Sequence, residues 1–438
     1  MVIKMKIFQK NIKLYIGLAT LAVIASCKPE ITREFAPENT SSVNFSKYIA
    51  VGNSLTSGFA DGGLYLEGQQ VAFPNLIANQ MKSHGGGQFI TPLFSEAQSN
   101  GSGYLRLKSL ENGRPVTESV TDKLAYISTG VLAKYSGTDI NNLGIPGMRL
   151  DHSGVGLVSA ANMYFARLLP DADLGKKSYQ DFVDNRNHTF FSFWLGNNDV
   201  LGYATNGAVN DNPAGTTVLT SQETFRAVYT QFIAKLTANG QKGVVATIPD
   251  VTTIPYFTTV TRKALLDAAS AASGQAVTNL FIATKTAPSR PATDNDLFVL
   301  PFSSSGLLGN TTGSPAPYGL HPNRPIEDKY VLDEAEVSEV RNHVTKLNEI
   351  IWDIAHSKNL AVADANNFLS KLKTGILYNG FGISSAYITG NAFSLDGIHL
   401  TPIGNAVMAN LMIEAINSKY GTKLEKIDAS GFTGVKIP

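Results

Sequence analysis

The sequence predicts an α/β fold, a parallel sheet with helices on both faces. Three observations carry this expectation. Short apolar runs alternate with segments of helical periodicity five times along the chain. The run Phe190 to Leu195 is apolar at almost every position, as a strand covered on both sides must be. The runs ending at Val51, Leu143 and Leu195 each stop at a glycine, Gly52, Gly144 and Gly196, and polar residues follow at what would be the carboxyl edge of the sheet.

The amino-terminal segment stands apart from that fold. Lys4, Lys6, Lys10 and Lys13 make a basic start, and Leu14 to Ala25 is apolar but short for a membrane span. It ends in Ile24-Ala25-Ser26-Cys27, which resembles a bacterial lipobox. The expectation is a signal peptide over 1–26 and lipidation of Cys27, which becomes the first mature residue. Cys27 is the only cysteine, so no intrachain disulfide can form. Residues 27–45, rich in Asn, Thr, Ser and Pro, read as a polar tether. The expected globular domain runs from 46 to 420, and 421–438 is a tail.

Within that domain Tyr48 to Val51 is the first strand, and Ser54 sits on the turn after Gly52. Ala72 to Lys82 is a helix with Phe73, Leu76, Ile77 and Met81 on one face. Residues 85–138 form a first insertion. Inside it the Asn112-Gly113 dipeptide between two alternating runs predicts a β-hairpin. Asp139 to Leu143 is the second strand, and Leu157 to Leu169 a helix. Phe190 to Leu195 is the third strand, leading into Gly196-Asn197-Asn198-Asp199. Thr220 and Glu223 suggest a capping box for a helix bearing Phe225, Val228, Phe232 and Leu236. Gly243 to Ile248 is the fourth strand. A second insertion, 252–330, holds an alanine-rich helix from Lys263 to Ala272 and an apolar strip from Leu297 to Leu308. Asp333 and Glu336 cap a long helix, Leu360 to Asp364 is the fifth strand, and Thr401-Pro402 opens the last helix.

Four positions then stand out together. Ser54 follows the first strand, Gly144 the second, Asn198 the third, and Asp396 and His399 precede the last helix. A serine hydroxyl needs a base to become a nucleophile. Histidine is the side chain suited to that work near neutral pH. Asp396, three residues before His399, can orient the imidazole and stabilise its charged form. The N–H groups of Ser54 and Gly144 and the Asn198 amide can serve as donors to a developing oxyanion.

The chain resembles the SGNH, or GDSL-type, hydrolases. Gly52-Asn53-Ser54-Leu55, Asn142-Leu143-Gly144-Ile145-Pro146-Gly147, Gly196-Asn197-Asn198-Asp199 and Asp396-Gly397-Ile398-His399 correspond to the four family blocks, in order. The resemblance implies a three-layer α/β/α sandwich of flavodoxin-like type, with five parallel strands in the order 2-1-3-4-5. It also implies a serine esterase working through an acyl-enzyme, with Ser54, His399 and Asp396 as its triad and no cofactor. Asn53 departs from the family's usual aspartate. It keeps an acceptor and gains a donor, so retained activity with altered local hydrogen bonding is expected. The substrate class stays open between a lipid-like ester and an O-acetylated glycan, and a non-catalytic ligand-binding lipoprotein is the rival reading.

Composition narrows the partners. With 36 basic and 35 acidic residues the net charge is +1, which gives no field for nucleic acid. His84, His152, His188, His321, His343 and His356 show no metal-ligand spacing, so no metal is expected. The expected location is the cell envelope, outside the cytoplasm and on the outer membrane, held by the lipid on Cys27. The strip Leu297 to Leu308 invites two readings, a lid over an acyl chain or a small satellite core.

Overall fold

The computed structural model describes residues 43–111, 114–212 and 214–438. The expected signal peptide, Cys27 and most of the tether lie outside the described residues, as does the Asn112-Gly113 turn. A parallel sheet of four strands forms the centre: β1 (Tyr48–Gly52), β2 (Phe190–Trp194), β3 (Lys242–Ala246) and β4 (Ala361–Ala363), adjacent in that order. Tyr48 pairs with Phe190 and Gly52 with Trp194, Phe190 pairs with Lys242, and Ala361 with Val244.

Strand alternation sorts the side chains of β2 between two helical layers. Phe190 meets Tyr420 and Trp194 meets Phe73. Those partners belong to α1 (Phe73–Met81) and α4 (Pro402–Tyr420), which pack on each other. Phe193 instead packs edge-on to Tyr229 and Phe232 of α2 (Gln222–Leu236), whose neighbour is α3 (Glu334–Ser357). Both layers exclude water from β2, where every residue is buried. This is the three-layer α/β/α arrangement. Among the described residues no helix is long and apolar enough to cross a membrane.

The expected fifth strand is not formed as a strand. Residues 139–143 run beside β1 and make one parallel bridge, Ala50 to Asn142. The Ala50 N–H donates to Asn141 O at 2.9 Å and the Leu143 N–H to Ala50 O at 2.8 Å. Two consecutive asparagines explain the shortfall, because their side chains compete with a regular ladder. Asn141 Nδ2 donates to Tyr48 O and its Oδ1 accepts from the Ile90 N–H, while Asn142 Nδ2 donates to Thr56 O. The segment still lies beyond β1, on the edge expected for the second strand.

Two helix expectations are also corrected. The stretch 157–169 is not one helix but two single turns, Val158–Ala161 and Met163–Ala166. Asn162 breaks it by capping the second turn with Oδ1 and donating Nδ2 to Pro146 O. The cap of α2 is Ser221, whose hydroxyl accepts from the Thr224 N–H, and Thr220 is drawn into a buried charged cluster. The capping box of Asp333 and Glu336 on α3 and the Thr401 cap of α4 are formed.

The insertions hold small antiparallel units. Tyr104–Glu111 pairs with Arg114–Val120, and Phe281–Thr284 with Ala287–Pro291. In the apolar strip, Leu297–Phe298 pairs with Val331–Leu332 just before α3. Phe302 is buried, and Leu307 and Leu308 pack part-buried against the main core. The strip thus packs down onto the main core and does not form a separate satellite core.

Candidate active site

The end of β1 is built for close packing. A side chain at residue 52 would collide with Thr56 Oγ1 and the Trp194 carbonyl, so only glycine fits. Its backbone φ is not in the left-handed region; contact, not handedness, demands the glycine here. The Tyr179 hydroxyl lies against the Gly52 N–H and carbonyl and the Leu143 carbonyl, tying β1 to the neighbouring edge segment. Asn53 then caps the short turn Ser54–Ser57 through Oδ1, which accepts from the Leu55 N–H at 3.1 Å. This points Ser54 toward the carboxyl edge of the sheet.

The structure brings Ser54, His399 and Asp396 together from opposite ends of the domain. Ser54 Oγ lies 2.8 Å from His399 Nε2, and His399 Nδ1 lies 2.8 Å from Asp396 Oδ2. Five groups surround the Asp396 carboxylate. Oδ1 accepts from the Ile398 N–H, the His399 N–H and Ser394 Oγ, while Oδ2 accepts from His399 Nδ1 and the Gly62 N–H. Burial pushes the Asp396 carboxyl up, but the charge and hydrogen bonds of His399, with the Ile398 N–H, outweigh it and hold it well below the usual carboxylate range. The ionised carboxylate can only accept, which fixes the proton on Nδ1 and leaves Nε2 free to take the serine proton. The Phe59 ring packs 4.7 Å from the His399 ring and limits its tilt.

Sequence reasoning missed the clamp behind the acid. Asp61 adopts φ +54°, and its N–H donates to Ser394 Oγ. Its Oδ1 accepts from the Leu395 N–H and its Oδ2 from the Tyr65 hydroxyl. With Gly62 it staples the loop after Ser54 to the loop carrying Asp396. The Asp61-Gly62-Gly63 turn signal was present in the sequence, but apart from Tyr65 the clamp's partners, Ser394 to Asp396, lie more than three hundred residues away.

The expected oxyanion donors are placed differently from one another. The Ser54 N–H has no partner among the described residues. Asn198 begins the short helix Asn198–Thr205 and donates one amide hydrogen to Met148 O at 3.0 Å, leaving the other available. Gly144 does not present a free donor: it is buried, its N–H donates to Asn142 Oδ1 at 3.1 Å, and its α-carbon packs on the backbone of Asn53 to Ser57. Three residues later Gly147 is exposed, with φ +77° in a turn closed by the Met148 N–H on Ile145 O. Its own N–H has no partner among the described residues, and the next residue is the one that holds Asn198.

A buried charged cluster anchors this side of the site. Arg149, 1% exposed, makes a two-pronged bond to Asp151, donates to Thr220 Oγ1, and reaches the Asn198 carbonyl at 3.0 Å. Asp199 accepts from the Leu150 and Asp151 N–H groups and from Thr220. Burial first, and then the Asp151 carboxylate, raise the Asp199 pKa. Burial also acts against the Asp151 charge, but Arg149 overcomes it and lowers that pKa. Asp199 belongs to a motif block read from the sequence; the role of Arg149 had no local signal.

Next to Ser54 and His399 is a narrow cleft lined by Leu55, Leu201, Val251, Ile254 and Ile398, among others. Among the described residues no group of three His, Cys, Asp or Glu side chains is placed to hold a metal.

Three solved structures resemble the chain at low identity. The lipase/acylhydrolase from Enterococcus faecalis is 10% identical, with 87% of this chain and 99% of that one covered and a TM-score of 0.33. An alpha/beta hydrolase from the metagenome of Lake Arreo, Spain, is 11% identical, with 85% and 95% covered and a TM-score of 0.37. The extracellular lipase from Streptomyces rimosus is 12% identical, with 84% and 99% covered and a TM-score of 0.32. Comparison with curated proteins gave no match. The sequence model of the GDSL-like Lipase/Acylhydrolase family matches residues 48–412, a span that holds β1, all four motif blocks and most of α4. The chain is therefore a hydrolase belonging to the GDSL-like lipase/acylhydrolase family.

Proposed function

We propose that this hydrolase cleaves carboxylic esters through an acyl-enzyme on Ser54. The observation that carries the reading is the line from Ser54 Oγ through His399 to Asp396, with both links at 2.8 Å. Ser54 Oγ attacks the ester carbonyl as His399 Nε2 takes its proton. The negative charge that develops on the carbonyl oxygen is met by the Ser54 N–H and the free hydrogen of the Asn198 amide. Gly147 supplies the third donor in place of Gly144, whose N–H is already engaged. His399 returns the proton to the alcohol as the carbon–oxygen bond breaks. A water, deprotonated by the same nitrogen, then releases the acid and restores Ser54. Asp396 stays ionised throughout.

Ser54→Ala tests this reading together with a fluorophosphonate label. The wild-type chain should take one label at residue 54 and turn over activated esters, and the variant should do neither while keeping its circular dichroism. Ester turnover near wild type in the variant would place the nucleophile elsewhere. The proposed setting is extracytoplasmic, with the enzyme tethered by lipid on Cys27; support for it is the sequence Ile24 to Cys27. Cys27→Ser should abolish palmitate incorporation and release the protein from the membrane fraction; a variant still labelled and sedimenting would refute the anchor.

A further inference from the structure

The cleft beside the nucleophile has walls of unequal provenance. Leu55 and Ile398 flank the residues that react, while Leu201 comes from the helix that Asn198 starts and Val251 and Ile254 from the segment after β3. His399 must reach the departing alcohol oxygen to protonate it. An acyl substituent directed away from His399 would lie in the cleft that Leu201 and Ile254 line. The whole cleft, which opens to solvent on one side, holds about 40 Å³. A water-sized group needs roughly 10–15 Å³ on this measure, so about three or four such groups fit. A far larger cavity, about 520 Å³, lies behind the acid loop. It is lined by Asp61, Tyr65, Ser394 and the tail 433–438, and neither Ser54 nor His399 reaches it.

We propose that the acyl half of the substrate is short, about two to four carbons, as in acetyl esters, and that the walls at Leu201 and Ile254 set this limit. The inference rests on the serine-ester reading above. In the transfer the carbonyl carbon bonds to Ser54 Oγ, its bond to the alcohol oxygen breaks, and the serine proton passes through His399 to that alcohol. Only the acyl group must fit the cleft; the alcohol half is left on the open side. Such an enzyme removes small acyl groups from a larger alcohol and does not digest long-chain lipids.

The test uses the detergent-solubilised full chain and the p-nitrophenyl esters of acetate, butyrate and octanoate. For the wild type, kcat/KM should fall at least about tenfold from the shorter esters to octanoate. Leu201→Ala should raise the octanoate-to-acetate ratio by about tenfold, the scale of a methylene-sized change in a pocket. Ile254→Ala, a second variant, should move it in the same direction. Octanoate turnover equal to or above acetate in the wild type would overturn the inference, as would an unchanged ratio in both variants when folded. If no ester is turned over and the fluorophosphonate leaves Ser54 unlabelled, the serine-ester reading itself has failed. Labelling of Ser54 with octanoate preferred defeats the short-acyl limit alone.

Discussion

Arg149→Met removes a buried cation without leaving a large void, and its consequences can be worked out separately for stability and for turnover. Arg149 is bonded to both Asp151 oxygens at 2.8 Å and to Thr220 Oγ1 at 2.7 Å. Taking one member from a buried ion pair costs about 3–5 kcal/mol, because the remaining carboxylate is left without its counter-charge. The Thr216 and Val218 carbonyls lose a donor as well. The variant should melt several degrees below the wild type and remain folded at room temperature.

The effect on turnover should run through Asn198. Arg149 Nη1 holds the Asn198 carbonyl, and the Asn198 amide holds Met148, next to Gly147. Losing Arg149 frees both loops that carry proposed oxyanion donors. A misplacement of about 1 Å at such a site costs roughly 10²-fold. The expected result, measured with p-nitrophenyl acetate well below the melting range, is a fall in kcat of about 10² with KM little changed, because oxyanion contacts strengthen in the transition state. Arg149→Lys keeps the charge but not the fork and should recover only part of the loss. The decisive comparison is the double variant with Asn198→Ala. If Arg149 acts by positioning Asn198, it adds little to the single Asn198→Ala defect. If the two defects multiply, Arg149 does not work through Asn198 and the argument is wrong.

Asn198→Ala alone should lower kcat by about 10²–10³ with a small change in KM; a change confined to KM would make it a substrate-binding residue. Activity should survive exhaustive chelation, because both His399 nitrogens are engaged by Ser54 and Asp396; loss that a divalent ion restores would refute this. Glu336, in the cap of α3, has its carboxyl pushed up to about 7 by burial, and its Oε1 has no partner among the described residues. The folded state thus keeps a proton that the unfolded chain releases at lower pH, so stability falls as pH rises toward 7. Glu336→Gln keeps the capping acceptor and should gain about 1–2 kcal/mol at pH 8, after allowance for solvent reaching the carboxyl; a variant whose melting temperature still drops between pH 5 and 8 would show that another group is responsible.

The sequence was most legible where a residue's task is local. The strands β1 to β4 announced themselves as apolar runs, because a strand buried on both faces tolerates little else. Caps at Asp333 and Thr401 were readable because the bond they make spans three residues. The edge segment 139–143 was read as a strand from Ile140 and Leu143, while Asn141 and Asn142 spend their side chains on distant backbone. Thr220 misled in the same way: it looked like a cap, but its hydroxyl is held by a charged cluster assembled from residues 149 to 220. Ser54, Asp396 and His399 could be nominated through the family blocks. Asp61, Ser394 and Arg149 could not, since their partners are set by the folded chain.

Asn53 shows why one departure from a motif need not disable a site. The job done at this position is to accept the Leu55 N–H, and a single side-chain oxygen does it. Aspartate and asparagine serve equally as helix caps, so the exchange leaves the Ser54 turn in place. What changes is the second polar atom. A carboxylate would bring a negative charge to within one residue of the nucleophile, in a site that is 1% exposed. Asparagine brings an uncharged donor that is buried and has no hydrogen-bond partner among the described residues. The substitution therefore leaves the geometry of attack alone and removes a buried charge beside it, so Asn53→Asp should change turnover of a small activated ester little.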